Sequence, residues 1–339
     1  VNAGTTWSPV FDDVGSYSIG CLALDPYDPN VVWVGTGENV SGRHVAYGDG
    51  VYRSRVGGTT WENMGLENSE HIGMIRIDPR DSDTIFVAAQ GPLWSGGGDR
   101  GLFKSTDGGS SWRKVLGDGH GNTPADDRYT GVNEVHMDPR NPDVMYAVTW
   151  QRLRNVAVVI DGGPGTGIHK STDGGETWRE LTNGLPSGKP DEQMMGKTGL
   201  AISTQNPDVI YATIELDNRS GGFWRSDDGG ENWEKKNDYL SSATGPHYYQ
   251  EIFASPHFEG HVYQMDALMR MTKDGGDTFI PLPHETKHGD HHALAFRDDD
   301  PNYLLIGTDG GVYESFDLSL IHISEPTRRN QSSRMPSSA

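Results

Sequence analysis

A single cysteine, Cys21, occurs in 339 residues, which excludes an internal disulfide framework and any zinc finger built on several thiolates. Basic residues are scarce: 28 Lys and Arg stand against 48 Asp and Glu, a formal net charge of −20. Nucleic acid and anionic membranes reward clustered Lys and Arg, so neither is expected as a partner. Apolar runs are short, and none approaches the roughly 18 residues of a membrane-spanning helix. Helical rhythm is missing as well. No segment of helical length repeats its apolar residues at a period of about 3.6, so almost no helix is expected. The first residues carry neither an initiator Met nor a signal-peptide pattern, and localisation is not legible from them. What the chain does have is 45 Gly, 19 Pro and a 34% hydrophobic content, the composition of a turn-rich globular protein with enough apolar material for a core.

Self-similarity organises the rest. The pattern Ser-x-Asp-x-Gly-x-x-Trp stands as STDGGSSW at 105–112, STDGGETW at 171–178 and SDDGGENW at 226–233. TKDGGDTF at 272–279 is a weaker copy, and SRVGGTTW at 54–61 has Val56 in the Asp place. A truncated copy opens the chain, with Asn2, Gly4 and Trp7 in the Asp, Gly and Trp places. A second pattern keeps step, as DPYDPNVVWVGTG from Asp25, DPRDSDTIFVAAQ from Asp78 and DPRNPDVMYAVTW from Asp138. Each repeat therefore predicts four short strands: A ends at the Asp-Pro, B is the VVWVG type, C the GVYRS type, and D starts at the motif Trp. Four-strand units at roughly 50-residue spacing predict an all-β propeller of four-stranded antiparallel blades. The expectation is five complete repeats and a sixth split between the termini.

These motifs resemble the Asp box of BNR-repeat propellers. The text around them (SYSIGCLALDPYDPNVVWVGTGE, GDHHALAF, GTDGGVYES) resembles secreted bacterial proteins with a sortilin-N-terminal-type propeller, commonly labelled glycosyl-hydrolase-like. The resemblance covers residues 1–317 and implies a secreted or periplasmic location. It implies no reaction, because the Asp box marks the fold. Asp107, Trp112, Asp173, Trp178, Asp228, Trp233, Asp274 and Phe279 are therefore read as structural: Asp bonds turn amides, Gly supplies positive φ, and the aromatic packs between blades.

Residues 318–339, LSLIHISEPTRRNQSSRMPSSA, fit no strand of the repeat. They interrupt a motif after Ser315-Phe316-Asp317, and LSLIHISEPTR resembles an in-frame translation of a sequencing adapter. The tail is read as read-through rather than a domain, and the chain as cut at both ends. In this reading the strand at Trp7 is available to pair with the last C strand and close a ring, with Trp7 beside Tyr313.

Propeller topology places the A–B and C–D turns on one face and the B–C and D–A connections on the other. Ligands are expected on the latter. Strand B ends there at Glu38, Gln90, Gln151, Glu215, Asp266 and Asp309. The D–A connections add Glu70, His71, Arg128, Tyr129, His247, Tyr248, Asp290 and His291. Of these, His71, Arg128, Tyr129, His247, Tyr248 and His291 are candidate ligand-binding residues. Carboxylates for a hydrolytic pair would come from Glu38, Glu70, Glu215, Asp266, Asp290 and Asp309. The plain alternative is a solvated polar rim.

Within PHETKHGDHHAL (283–294), His284 to His288 spells H-E-x-x-H, but flanking Pro and Gly exclude the helix that would aim both imidazoles at one zinc. No cofactor is implied. A divalent metal held on the loop would use His288, Asp290 or His292. Two functions follow. The first is a propeller that binds a glycan or peptide on this face; the second is a glycoside hydrolase, which needs two carboxyls roughly 5–5.5 Å or 6.5–9.5 Å apart. No Arg-Ile-Pro segment of the sialidase kind is present, and the catalytic Asp pair of the two-propeller xyloglucanases has no residue-by-residue match.

Overall fold

The computed structural model describes residues 6–42, 45–117, 119–120, 123, 127–186, 193–217, 220–241, 248–283 and 287–317. The 318–339 tail and His247 lie outside the described residues. Every sheet is antiparallel, and the blades follow one another in chain order. Blade 1 contains β1 (Ile19–Leu24), β2 (Val32–Thr36), β3 (Val51–Ser54) and β4 (Glu62–Asn63). Blade 2 contains β5 (Ile72–Asp78), β6 (Asp81–Ala89), β7 (Gly101–Ser105) and β8 (Arg113–Leu116). Blade 3 is built from β9 (Thr130–Asp138), β10 (Asn141–Gln151), β13 (Gly167–Ser171) and β14 (Arg179–Leu181), and its B–C connection carries a small hairpin, β11 (Leu153–Arg154) and β12 (Val159–Ile160). Blade 4 contains β15 (Met195–Ile202), β16 (Ile210–Leu216), β17 (Ser220–Ser226) and β18 (Glu234–Asn237). Blade 5 contains β19 (Ile252–Ala254), β20 (Val262–Gln264), β21 (Arg270–Thr272) and β22 (Ile280–Pro281). Among the described residues blade 6 has three strands, β23 (His291–Arg297), β24 (Asp300–Thr308) and β25 (Gly311–Ser315). The chain is thus an all-β, six-bladed propeller with essentially no helix, beyond short 3₁₀ turns such as Glu67–Ser69. No helix among the described residues is long and apolar enough to cross a membrane.

The core is not one body but a series of seams. Side chains alternate across a strand, so each blade presents apolar residues to both neighbours. On β10, Met145 and Ala147 join the seam with blade 2, while Tyr146 and Val148 join the seam with blade 4. Five buried clusters result, one for each seam from blade 1 to blade 6. Motif aromatics fill them: Trp178 lies in the seam of blades 2 and 3, and Trp233 in that of blades 3 and 4.

The Asp-Gly-Gly turns explain themselves chemically. Asp173 accepts from the Thr177 amide at 2.9 Å, the Thr177 hydroxyl at 2.6 Å and the Ser171 hydroxyl at 2.8 Å. Asp107, Asp228 and Asp274 make the same set with Ser111, Asn232 and Thr278. Gly174 and Gly175 sit at φ 70 and 80, two successive left-handed residues that a side chain would strain. The carbonyl of the first glycine is also a socket. Arg53, Lys104 and Lys170 on the C strands donate to Gly108, Gly174 and Gly229 of the following blade at 2.5, 2.8 and 2.7 Å. Each of these cations also lies over an aromatic ring of its own blade, Trp33, Phe86 and Tyr146 respectively. The A–B turns add Arg80–Asp143 and Arg140–Asp208, both 2.7 Å, between successive blades.

The expected closing strand is not formed. Trp7 lies outside any strand and is 66% exposed, and among the described residues β25 pairs only with β24. The preceding segment instead packs on the rim of blade 1: Trp61 donates its indole N–H to Val10 O, and Phe11 meets Trp61 edge-on at 4.8 Å. Local aromatic contact within blade 1 prevailed over pairing across the ring. The outward side of β1 stays bare, with Ile19, Leu22 and Leu24 50–59% exposed.

Burial opposes ionisation of Asp173, but the Thr177 hydroxyl and amide and the Ser171 hydroxyl outweigh it and hold the carboxyl at about 2. Replacing Asp173 with Ala should therefore destabilise the protein by about 1 kcal/mol, as for loss of a helix cap. The sign follows from the lowered folded value: the difference should be full above the ordinary Asp range near 3.8 and be lost as pH falls through about 2. Thermal melts of both proteins across this range are the check, and a difference as large at pH 2 as at neutral pH would contradict the assignment.

Candidate functional site

On the B–C/D–A face the chain does something that nearest-neighbour blade packing does not require. After β2 the B–C connection of blade 1 turns inward at Gly37, φ 88, where a Cβ would lie 1.9 Å from Glu70 O. Asn39 then meets three other blades. Its side chain accepts from Gln90 of blade 2 and donates to Glu251 of blade 5 at 3.3 Å, while its carbonyl accepts from Lys197 of blade 4 at 3.0 Å. The next carbonyls are taken by blade 3: Arg152 donates to Val40 O at 3.1 Å, and Arg154 donates to Ser41 O. A residue bonded at once to blades 2, 4 and 5 lies at the axis. The loop therefore plugs the channel mouth.

The plug is held by buried cations. Lys197 is fully buried and pairs with Glu251 at 2.9 Å. Burial pushes the Glu251 carboxyl up, but the Lys197 ammonium outweighs it and leaves the group below its usual range. Arg152 and Lys197 lie over the Trp150 ring at 5.0 and 5.6 Å. Burial lowers Arg152 to about 9 and Arg100 to about 10. Arg100 donates to the carbonyls of Gln90, Ser95 and Tyr129, so it locks loops and is not offered to solvent.

Beside the plug lies a cavity of about 660 Å³ between blades 1, 5 and 6. Glu38, Asn39 and Val40 form one wall, Tyr248, Tyr249 and Glu251 another, and Asp290, His292 and Asp309 a third. Tyr249 donates to Asp290 at 2.5 Å and stacks on His292 at 5.2 Å; His292 in turn meets Asp309 at 3.2 Å. Burial, with Asp290 adding to it, pushes the Tyr249 phenol up, so it remains a donor across the accessible pH range. Asp290 holds φ 58, which Asp tolerates better than most residues. The arrangement offers fixed hydroxyl, carboxylate and amide groups beside aromatic faces.

The structure brings together Glu38, Tyr248, Asp290, His292 and Asp309 of the sequence candidates. The others lie elsewhere. Asp266 is buried and holds Tyr239, Ser241 and the Ala267 amide. Glu215 is buried on β16, and Glu70, whose carboxyl burial raises, is neighboured by Arg100 and Arg152. Arg128 and Tyr129 sit on the blade 2–3 connection, where Arg128 O accepts from Gly97 N. His71 is buried and donates Nδ1–H to Glu38 O at 2.9 Å. His291 is buried too, with Nδ1 on Asp266 O at 2.8 Å and Nε2 accepting from Lys287 at 2.6 Å. His288 approaches Asp290 only to 4.0 Å and faces Gly289 O. Among the described residues no three His, Cys, Asp or Glu side chains converge as a metal site would require. Sequence reasoning missed Asn39, Lys197 and Glu251. A lone Lys in the otherwise uncharged inner strand MGKTGLAI was the available signal.

No known family's sequence pattern matches the chain. A xyloglucanase of a Paenibacillus species is 25% identical over 305 residues, which span 83% of this chain and 28% of that protein. The GH74 xyloglucanase from Xanthomonas campestris superposes with a TM-score of 0.60 at 18% identity, covering 91% of this chain and 46% of that one. YCF48 from Cyanidioschyzon merolae superposes at 0.57 with 16% identity, over 92% of this chain and 86% of that one. The chain is a β-propeller with xyloglucanase relatives. It spans under half the length of those relatives, and the structural likenesses establish the fold alone.

Burial lowers His71 to about 3, and His169 and His291 to about 4. The unfolded chain takes up these protons below its ordinary 6.5 and the folded chain does not. Stability should therefore fall as pH drops from 6.5 towards 4. The His71→Gln variant should show a shallower fall, measured by urea unfolding at stepped pH. An equal slope in both proteins would contradict a neutral buried His71.

Proposed function

We propose that this propeller binds a glycan in the cavity between the blade 1 plug and blades 5 and 6. The observation that carries the reading is the pairing of Tyr248 and the Tyr249–His292 stack with oriented polar groups at Asn39, Asp290 and Asp309 in one cavity. Concave sites with aromatic faces and a few fixed polar groups suit ligands that present both C–H faces and hydroxyls. The xyloglucanase relatives support a glycan over a peptide. The Ser-x-Asp-x-Gly-x-x-Trp turns support a place among Asp-box propellers, and the sortilin-type resemblance of the surrounding text adds to it. A secreted or periplasmic location goes with this reading, since polymeric glycans are met outside the cytoplasm.

The second reading is a glycoside hydrolase using two of Glu38, Asp290 and Asp309, and the same relatives favour it. It requires one carboxyl that keeps its proton near neutral pH and a second at the spacing of a retaining or inverting pair.

A glycan array followed by calorimetry on the best binder tests both. Tyr248→Ala and Asp309→Asn should each weaken binding about tenfold, ~1.4 kcal/mol, with unchanged melting. Reducing-sugar release from xyloglucan that Asp290→Asn abolishes would establish the second reading instead. Absence of any glycan binding would overturn both.

A further inference from the structure

We propose that Lys197 is a positioning residue for the cavity: it never reaches the ligand, yet its ammonium sets two of the three walls. This rests on the glycan reading for its functional meaning. The geometry is direct. Lys197 Nζ donates to Asn39 O at 3.0 Å and to Glu251 Oε1 at 2.9 Å, and Asn39 Nδ2 donates to the same Glu251 oxygen at 3.3 Å. Asn39 of the blade 1 plug and Glu251 of blade 5 both line the cavity, while Lys197 does not line it at all. One buried cation thus ties the blade 1 plug to blade 5 from its seat on blade 4.

The seat itself is fixed. Lys197 is on β15, over the Trp150 ring of blade 3, and its carbonyl accepts from Gln250 Nε2 at 3.2 Å. Glu251 has few other partners: its second oxygen accepts from the Gln250 amide at 3.2 Å, and His292 of blade 6 contributes only at longer range. Without the ammonium, Glu251 would face a buried site with Asn39 as its remaining side-chain donor, and the carboxyl would move up towards neutral pH. The plug would lose the bond at Asn39 O and keep those at Val40 O and Ser41 O. Loosening is therefore expected at Glu38 to Val40, in the cavity wall, and not through the ring.

Five proteins test this: wild type, Lys197→Arg, Lys197→Met, Glu251→Gln, and Lys197→Met combined with Glu251→Gln, which removes the buried charge that could prevent folding. Glu251→Gln alone is the reference for the double variant. Hydrogen exchange of the amides at 38–42 should quicken at least tenfold in both Met variants, while β15 and β19 keep their protection. Lys197→Arg should restore it. Affinity for the array's best glycan should fall tenfold or more in the double variant relative to Glu251→Gln. On acidification through neutral pH, binding should weaken more steeply in Lys197→Met alone than in the double variant, where residue 251 no longer titrates. A merely structural lysine would give the two variants the same pH profile.

Unchanged exchange at 38–42 in the Met variants would overturn the proposal. So would faster exchange spread evenly over blades 4 and 5. If wild type binds no glycan, the functional reading fails, and the exchange measurement still decides whether Lys197 sets the wall.

Discussion

Each blade carries apolar side chains on both faces and can bury them only against the blades beside it. From this constraint the rest of the structure follows. The strands must alternate without a polar face, as on β10, where successive residues enter different seams. The turns must then hold each sheet at a repeatable angle to the next. The Asp-Gly-Gly turn does this twice over, closing its own loop through the Asp carboxylate and offering a glycine carbonyl to a cation from the preceding blade. A motif that looks like a site by its polarity is thus absorbed by local and inter-blade bonding. The proposed ligand chemistry lies on the other face.

There, a ring built only from neighbour contacts would leave an open channel. The blade 1 loop removes it. Asn39, with the carbonyls that follow it, draws donors from blades 2, 3 and 4 and itself donates to Glu251 of blade 5. Burying Lys197 and Arg152 is costly unless their hydrogen bonds are met, and the plug's carbonyls and Glu251 meet them. The cations and the loop require each other. The consequence for function is displacement: the cavity lies beside the axis, walled by the plug on one side and by the Tyr249–Asp290 and His292–Asp309 pairs on the other.

Much of this architecture was legible from the chain alone, because it is written in short-range chemistry. Ser171, Asp173, Gly174, Gly175 and Thr177 form their turn within seven residues, so the motif announces the turn wherever it stands. The alternating runs before and after each turn set the strands. Their succession set the blades, and with them the face that carries Glu38, Tyr248, Asp290, His292 and Asp309. The same reasoning placed Glu70, His71, Asp266 and His291 on that face and could not see that burial and backbone bonding would keep them out of the cavity.

Only the tertiary structure decided which loop crosses the axis and which of these residues share a cavity. Asn39 is 158 residues from Lys197 and 212 from Glu251 along the chain. No local pattern encodes such a meeting: the lone Lys of β15 marks a buried charge but does not name its partners. The failed ring closure has the same origin. Trp7 matched a strand position in the repeat, but the neighbouring Val10 and Phe11 found Trp61 and Tyr52 in blade 1. The sequence by itself determined the units, because their bonds close within a few residues; the assembled ring decided the site, because its bonds close only when distant blades are already in place.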